Sequence, residues 1–259
     1  MRILFVADVV GAPGRRAIEE RLPALRDELR ADLCILNGEN LADGVGITPK
    51  LADRMLASGA DVITLGNHVW RRREIVPYLS ESDRIVRPAN LSAHAPGKGL
   101  VVVTAKDGVD VAVVNLLGSL FIGPPHSPFE VVDDLVAEAR RRAPVVFVDF
   151  HGEATSEKVA MARWLDGKVT AVIGTHTHVQ TNDARVQPGG TAAITDAGMT
   201  GPHDSVIGVV ADLAIRQMRT SMPVRFDTAD GDVRIEGVLI ECDEAGRATS
   251  CEPVRVPVP

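Results

Sequence analysis

Five short apolar runs in this 259-residue chain end in side chains that could hold metal ions. Ile3–Ala7 runs into Asp8, Leu33–Leu36 into Asn37-Gly38-Glu39-Asn40, and Val62–Leu65 into Gly66-Asn67-His68. Val145–Phe150 leads to His151-Gly152-Glu153, and Ala171–Ile173 to Gly174-Thr175-His176-Thr177-His178. Imidazole nitrogens with carboxylate and amide oxygens suit Fe, Mn or Zn and need no thiolate. A shared carboxylate can hold two such ions roughly 3.5–4 Å apart, the arrangement used in two-metal hydrolysis. His176 and His178 alternate, so a regular strand would point them to opposite sides. Either two metals or a loop that turns both inward would resolve this.

The runs themselves indicate how these groups converge. They are apolar on consecutive residues, which predicts strands buried on both faces, as in a sheet covered by helices. Ligands of open α/β sheets bind beyond the carboxyl ends of the strands. Further strands are expected at Val101–Thr104, Val111–Leu116 and Thr191–Thr195. Helices are expected at Gly14–Leu29, Pro49–Ala57, Arg72–Leu79, Phe129–Arg142, Ser156–Leu165 and Ile207–Arg219. Two hairpins are expected, one turning at Lys106–Val109. The other turns at Asp230-Gly231-Asp232, joining Val224–Thr228 to Val233–Cys242. The layout is α/β with antiparallel additions, read as a single domain over 1–259, with 253–259 as an extended tail.

Composition narrows the function. The net charge of -7 argues against a broad nucleic-acid or membrane surface, yet bound cations can still attract phosphate. Aromatics are only 3% of the chain, so Val, Leu, Ile and Ala must build the core. Cys34, Cys242 and Cys251 are far apart, which disfavours a disulfide framework or a sulfur zinc site; Cys34 reads as a small core residue. No apolar run is long enough to span a membrane, and the expected location is the cytoplasm. Gly11-Ala12-Pro13-Gly14 lacks the dinucleotide-binding glycine pattern.

The ordered series Asp8, Gly38-Glu39-Asn40, Gly66-Asn67-His68, His151 and Gly174-Thr175-His176-Thr177-His178 resembles the calcineurin-like metallophosphoesterases, whose pattern is D-x-H, G-D, G-N-H, H and G-H-x-H. Val10 stands where the first histidine is usual, and Glu39 where an aspartate is usual. With Asp149–Lys158 and Asp196–Gly201, these departures resemble the bacterial YmdB-like phosphodiesterase branch across nearly the whole chain. The resemblance implies a layered α/β/β/α sandwich of mixed sheets flanked by helices. It also implies two metal ions, iron foremost, with manganese or zinc as alternatives. One would be held by Asp8, Glu39, Asn40 and His178, the other by Glu39, Asn67, His151 and His176, with Glu39 bridging. Asn40 would take the place of the missing histidine, and His68 would serve as general acid or phosphate stabiliser.

The implied activity is hydrolysis of cyclic nucleotides, 2′,3′-cyclic first and 3′,5′-cyclic second, by a metal-bridging hydroxide. A phosphomonoesterase or nuclease with the same centre, acting on RNA in the latter case, is the alternative within hydrolases. A regulatory protein with a structural metal site is the alternative outside them. Glu153 reads either as a partner of a ligand histidine or as part of the helix cap with Thr155 and Ser156. His94, His126 and His203 read as loop histidines, the last two within reach of a cleft. Arg71–Arg73 read as a solvated helix start that could also attract phosphate. Leu120, Phe121 and Ile122 are candidate contacts of a homo-oligomer.

Overall fold

The computed structural model describes residues 1–258. Two mixed sheets stack face to face, with helices on both outer surfaces. The first sheet is built on β1 (Arg2–Val6), β2 (Leu33–Asn37), β3 (Val62–Thr64) and β4 (Ile85–Val86), which run parallel in that order. In the second, β5 (Leu100–Thr104) pairs antiparallel with β6 (Asp110–Leu117). Parallel β7 (Val145–His151), β8 (Ala171–Thr175) and β10 (Ala192–Ile194) follow, and β9 (Arg185–Val186) lies on the edge. On the far side of β1, β12 (Val233–Cys242) runs antiparallel, flanked by β11 (Gly201–Pro202) and β13 (Ala248–Pro257).

Alternation along each strand explains the layers. In β1, Ile3 and Phe5 enter the core between the sheets, while Leu4 and Val6 face the helical layer. That layer contains α1 (Gly11–Leu29), α2 (Pro49–Ala57) and α3 (Ile75–Glu81). Phe147 of β7 meets Phe5 across the sheets, with ring centroids 5.2 Å apart. Val146 and Val148 face outward onto α4 (Pro128–Arg142) and α5 (Thr155–Trp164). The consecutive apolar runs are therefore buried on both sides, and the expected four-layer α/β/β/α architecture is found. Cys34 lies wholly inside, and burial pushes its thiol up to about 12. No helix among the described residues is long and apolar enough to cross a membrane.

Several expectations need correction. The helix placed at Arg72–Leu79 begins at Ile75; residues before it form short turns, with Ile75 N donating to Arg72 O. The helix placed at Ile207–Arg219 is α6 (Ala211–Thr220). Its start is displaced because Ile207 and Gly208 have φ of 47° and 99°, outside the right-handed helical region. The hairpin at Asp230–Asp232 does not form, since β11 and β13 already occupy the two sides of β12 at Val233–Arg234; Thr228 makes only an isolated bridge to Val209. The 253–259 tail is also overturned up to Pro257. Pro253 pairs with Val238 and Pro257 with Arg234, so this stretch closes β13 as a strand. Prolines are tolerated because β13 is an edge strand, and positions four apart share one parity, turning both missing N–H groups the same way. Pro259 lies outside the described residues.

Candidate metal centre

The parallel strands β1, β2, β3, β7 and β8 all end at one side of the sandwich, and that shared edge gathers the polar residues. Asp8, Glu39 and His151 are fully or almost fully buried. Glu39 Oε1, Asn67 Oδ1 and His176 Nδ1 approach His151 Nε2 at 3.1, 3.1 and 3.0 Å. Donor atoms of Glu39, His151 and His176 lie within 4.8 Å of one another. Beside them is a second group. His178 Nε2 is 3.3 Å from Asp8 Oδ2 and 3.2 Å from the Asn40 amide. Gly66 makes this packing feasible: a β-carbon there would lie 2.2 Å from Glu39 Oε2 and 2.5 Å from His151 Nε2.

Proton positions decide whether these atoms suit cations. Thr175 Oγ1 donates to Asp149 Oδ1 at 2.7 Å, so its oxygen is free to accept His151 Nδ1–H at 2.9 Å. His178 Nδ1–H donates to the Ile207 carbonyl at 3.0 Å. Both arrangements direct Nε2 into the site, where its lone pair becomes available to a cation once any proton there is displaced. Around His151 Nε2, a carboxylate oxygen, an amide oxygen and a second imidazole nitrogen converge, three acceptors about a position that can carry at most one proton. Asp8 Oδ1 is buried without a hydrogen-bond partner. Crowded lone pairs and an orphaned carboxylate oxygen are costly in a protein interior unless a cation binds them. The residues present fit a metal centre.

Electrostatics point the same way. Burial raises the Glu39 carboxyl, but facing His151 and His68 more than offset this and hold it well below the usual range. Burial lowers His151, and the Glu39 charge and hydrogen bond overcome that and raise it. His176 falls to about 4 through burial and the neighbouring His151 charge. His68 stands beside the donors, with Nδ1 2.8 Å from Asn40 Oδ1 and 3.4 Å from Glu39 Oε1.

The alternation of His176 and His178 is resolved by the backbone. Both adopt positive φ, 98° and 62°, so the loop curls and turns both imidazoles inward. A buried ion pair holds that loop. Asp196 Oδ2 receives Thr177 N at 3.0 Å, Thr177 Oγ1 at 2.6 Å and Lys158 Nζ at 2.8 Å. Asp8 Oδ2 accepts His176 N at 3.1 Å, pinning the loop from the other side.

Glu153 takes the first of its two readings: its carboxylate is 3.1 Å from His176 Nε2, while no side chain caps α5. His94, His126, His203 and Arg71–Arg73 do not line the cleft over the centre. Arg72 instead reaches back to the carbonyls of Ala42 and Val45. Leu120 and Phe121 are exposed on a loop whose amides at Ser119 and Leu120 donate to buried Glu157. Thr175, Asp149, Lys158 and Asp196 were not among the expected site residues. Only Asp149 carried a local signal, a lone carboxylate inside an apolar run.

The layered sandwich with clustered donors at its strand ends defines a fold of the metallophosphoesterase type. A solved Mycoplasma pneumoniae protein described as a novel phosphatase shares it, with TM-score 0.92, 34% identity and coverage of 99% of this chain and 93% of that one. Residues 4–254 match the family described as YmdB-like protein, and the chain belongs to that family. A hypothetical protein from Thermus thermophilus has TM-score 0.94 and 40% identity over the whole of both chains. A Bacillus subtilis (strain 168) relative named 2′,3′-cyclic-nucleotide 2′-phosphodiesterase is 48% identical over 244 residues, 94% of this chain and 92% of its own. A putative phosphatase/phosphodiesterase of Mycoplasma pneumoniae is 34% identical over 264 residues, 99% of this chain and 93% of its own.

Proposed function

We propose that this protein is a two-metal phosphodiesterase that hydrolyses 2′,3′-cyclic nucleotides. The observation that carries the metal reading is the convergence on His151 Nε2 of three further donor atoms at 3.0–3.1 Å, with the Thr175 hydroxyl taking up the Nδ1 proton. The substrate reading is supported by the name of the 48%-identical relative. Asp8, Asn40 and His178 would hold one ion, and Asn67, His151 and His176 the other, with Glu39 between them. The nitrogen and oxygen donors suit iron, manganese or zinc. Asn40 would contribute its side-chain oxygen, which also accepts Nδ1–H of His68 at 2.8 Å.

Bound cations would make hydroxide available near neutral pH and neutralise the phosphate oxygens. The chain's own residues do the rest. Asp149, through Thr175, orients His151, and Lys158–Asp196 orients the His176–His178 loop. As the water oxygen bonds to phosphorus and the ribose oxygen leaves, imidazolium His68 gives its Nε2 proton to the leaving oxygen and becomes the neutral ring with its proton on Nδ1. Its Nδ1 stays anchored at Asn40 throughout.

Elemental analysis of purified protein, paired with a substrate panel, tests this reading. We expect two equivalents of transition metal per chain. Turnover should favour a 2′,3′-cyclic nucleotide over a 3′,5′-cyclic nucleotide, a phosphate monoester and RNA, and should be lost in Asp8→Asn. Preference for the monoester or RNA would replace the substrate class. A metal-replete chain inert toward all four would sink the enzymatic reading.

A further inference from the structure

Three large apolar side chains remain exposed at the mouth of the cleft that contains the donor cluster. Val45, Ile207 and Phe226 are 37, 52 and 43% exposed. All three line the same cavity of about 440 Å³ as Asn40, His68 and His178, a size within the usual range for small-ligand pockets. They come from separate segments, and each segment is tied down. Arg72 Nε donates to the Val45 carbonyl at 3.3 Å. The Ile207 carbonyl accepts Nδ1–H of the candidate ligand His178, so this apolar wall and the metal centre are joined by one hydrogen bond. Val210 N donates to Asp227 O and Ala229 N to Gly208 O, binding the Phe226 segment to the Ile207 loop. Ile207 holds φ of 47°, a backbone form that β-branched residues seldom adopt.

The charges around these side chains restrict the occupant. Asp43, Glu153 and Asp227 line the cleft; Asp43 is paired with Arg72 at 3.7 Å, and no lysine or arginine among the described residues lines the cleft itself. A group bearing a second negative charge would be repelled, whereas an uncharged flat ring would not. An aromatic face next to a phosphate-handling centre suits a base, because every base offers a π-face for stacking.

We infer that Val45, Ile207 and Phe226 form the nucleobase subsite, with the base stacked on Phe226. The carboxylates of Glu153 and Asp227 restrict the site to single nucleotides by repelling a following phosphate. This rests on the reading of the centre as a cyclic-nucleotide phosphodiesterase.

Stacking of a base on an aromatic side chain corresponds to roughly 5- to 140-fold on truncation to alanine. In metal-replete protein, the Phe226→Ala variant is compared with the unaltered chain on adenosine 2′,3′-cyclic phosphate and on glycerol 1,2-cyclic phosphate, which lacks a base. The kcat/KM ratio of the first substrate to the second should fall by about that factor, chiefly through KM. Adenosine, which has no phosphate, is titrated against both proteins by NMR and should bind the unaltered chain more tightly. An unchanged ratio with unchanged adenosine binding overturns the subsite and leaves the phosphodiesterase reading standing. If neither cyclic phosphate is hydrolysed, that reading falls. Adenosine binding then decides the subsite alone: its loss in Phe226→Ala upholds it, and its absence from the unaltered chain overturns it.

Discussion

Replacing Asp196 by Asn should separate what holds the fold from what holds the metal. Asp196 and Lys158 are buried, and their side chains meet at 2.8 Å. An asparagine amide cannot neutralise the ammonium, and breaking a buried pair by removing one partner costs about 3–5 kcal/mol. Against a typical total of about 5–15 kcal/mol the variant still folds, with its melting temperature lowered by roughly 6–20 °C. A second loss is independent of the lysine. Thr177 N and Oγ1 give up their charged acceptor, and the left-handed backbone at His176 and His178 is free to relax. Weakening the support of a ligand typically lowers metal affinity 10–100-fold. Urea denaturation of metal-free protein reads the first effect, and Zn²⁺ competition against a fluorescent chelator reads the second. In the double variant Asp196→Asn/Lys158→Met the stranded charge is gone, so most stability should return while affinity stays low. Stability within about 1 kcal/mol of the unaltered protein in the single variant would refute the account. So would a double variant that recovers full affinity.

His68→Ala should retain both ions and lose roughly 10²–10⁴-fold in kcat, the usual worth of a positioned proton donor; metal loss in step with activity would contradict that role. Glu39→Ala should bind neither ion tightly if, as proposed, its carboxylate serves both, and two firmly retained metals would exclude a bridge. Gly66→Ala should lose metal, since its β-carbon would lie 2.2 Å from Glu39 Oε2 and 2.5 Å from His151 Nε2; unchanged metal content would show that the loop yields without disturbing the donors. In metal-free protein, burial lowers His151 and His178, but Glu39 and Asp8 respectively raise both above the ordinary imidazole value. Raised folded pKa values give stability that is full below about pH 6.5 and lost as pH climbs. The metal-free chain should therefore weaken between about pH 6.5 and 8 in urea titrations, a window below ordinary thiol ionisation. A flat or rising trend would contradict these assignments.

What could be read from the sequence divides along physical lines. A strand buried on both faces must be apolar throughout, so its first polar residue marks its end. In a parallel sheet those ends share one edge. On that ground alone Asp8, Glu39, His151 and the His176–His178 segment are legible. Parity could have gone further: Phe147, Asp149 and His151 alternate on β7, and Phe147 faces the other sheet. Asp149 therefore points the same way, to Asn37 and Thr64 across the interface. Burial lifts its carboxyl to about 6, against the hydrogen bonds it accepts from Thr175 and Thr64. The Lys158–Asp196 pair had no such signal, because the partners lie 38 positions apart and meet only through the fold. Nor could sequence show the curl of His-Thr-His, since positive φ is uncommon at any residue other than glycine.

Val10 joins the two kinds of information. It lines the cleft where the related pattern places a histidine, and an isopropyl group there can donate to nothing. The Asn40 amide instead lies 3.2 Å from His178 Nε2, and Asn40 is also the contact of His68 Nδ1 at 2.8 Å. In the proposed centre a ligand from the end of β2 would thus take the place of one from the end of β1. It would tie the metal site to the proposed proton donor through one amide, which a histidine at position 10 would not do. Asn40→Asp is then the decisive change. A carboxylate can still coordinate a cation, and it accepts the His68 Nδ1 proton with a full charge. Asn40→Asp should keep its ions and shift the pH profile of kcat to higher pH, as the new charge stabilises imidazolium. A profile unchanged in the metal-replete variant would separate Asn40 from His68 and leave it a ligand alone.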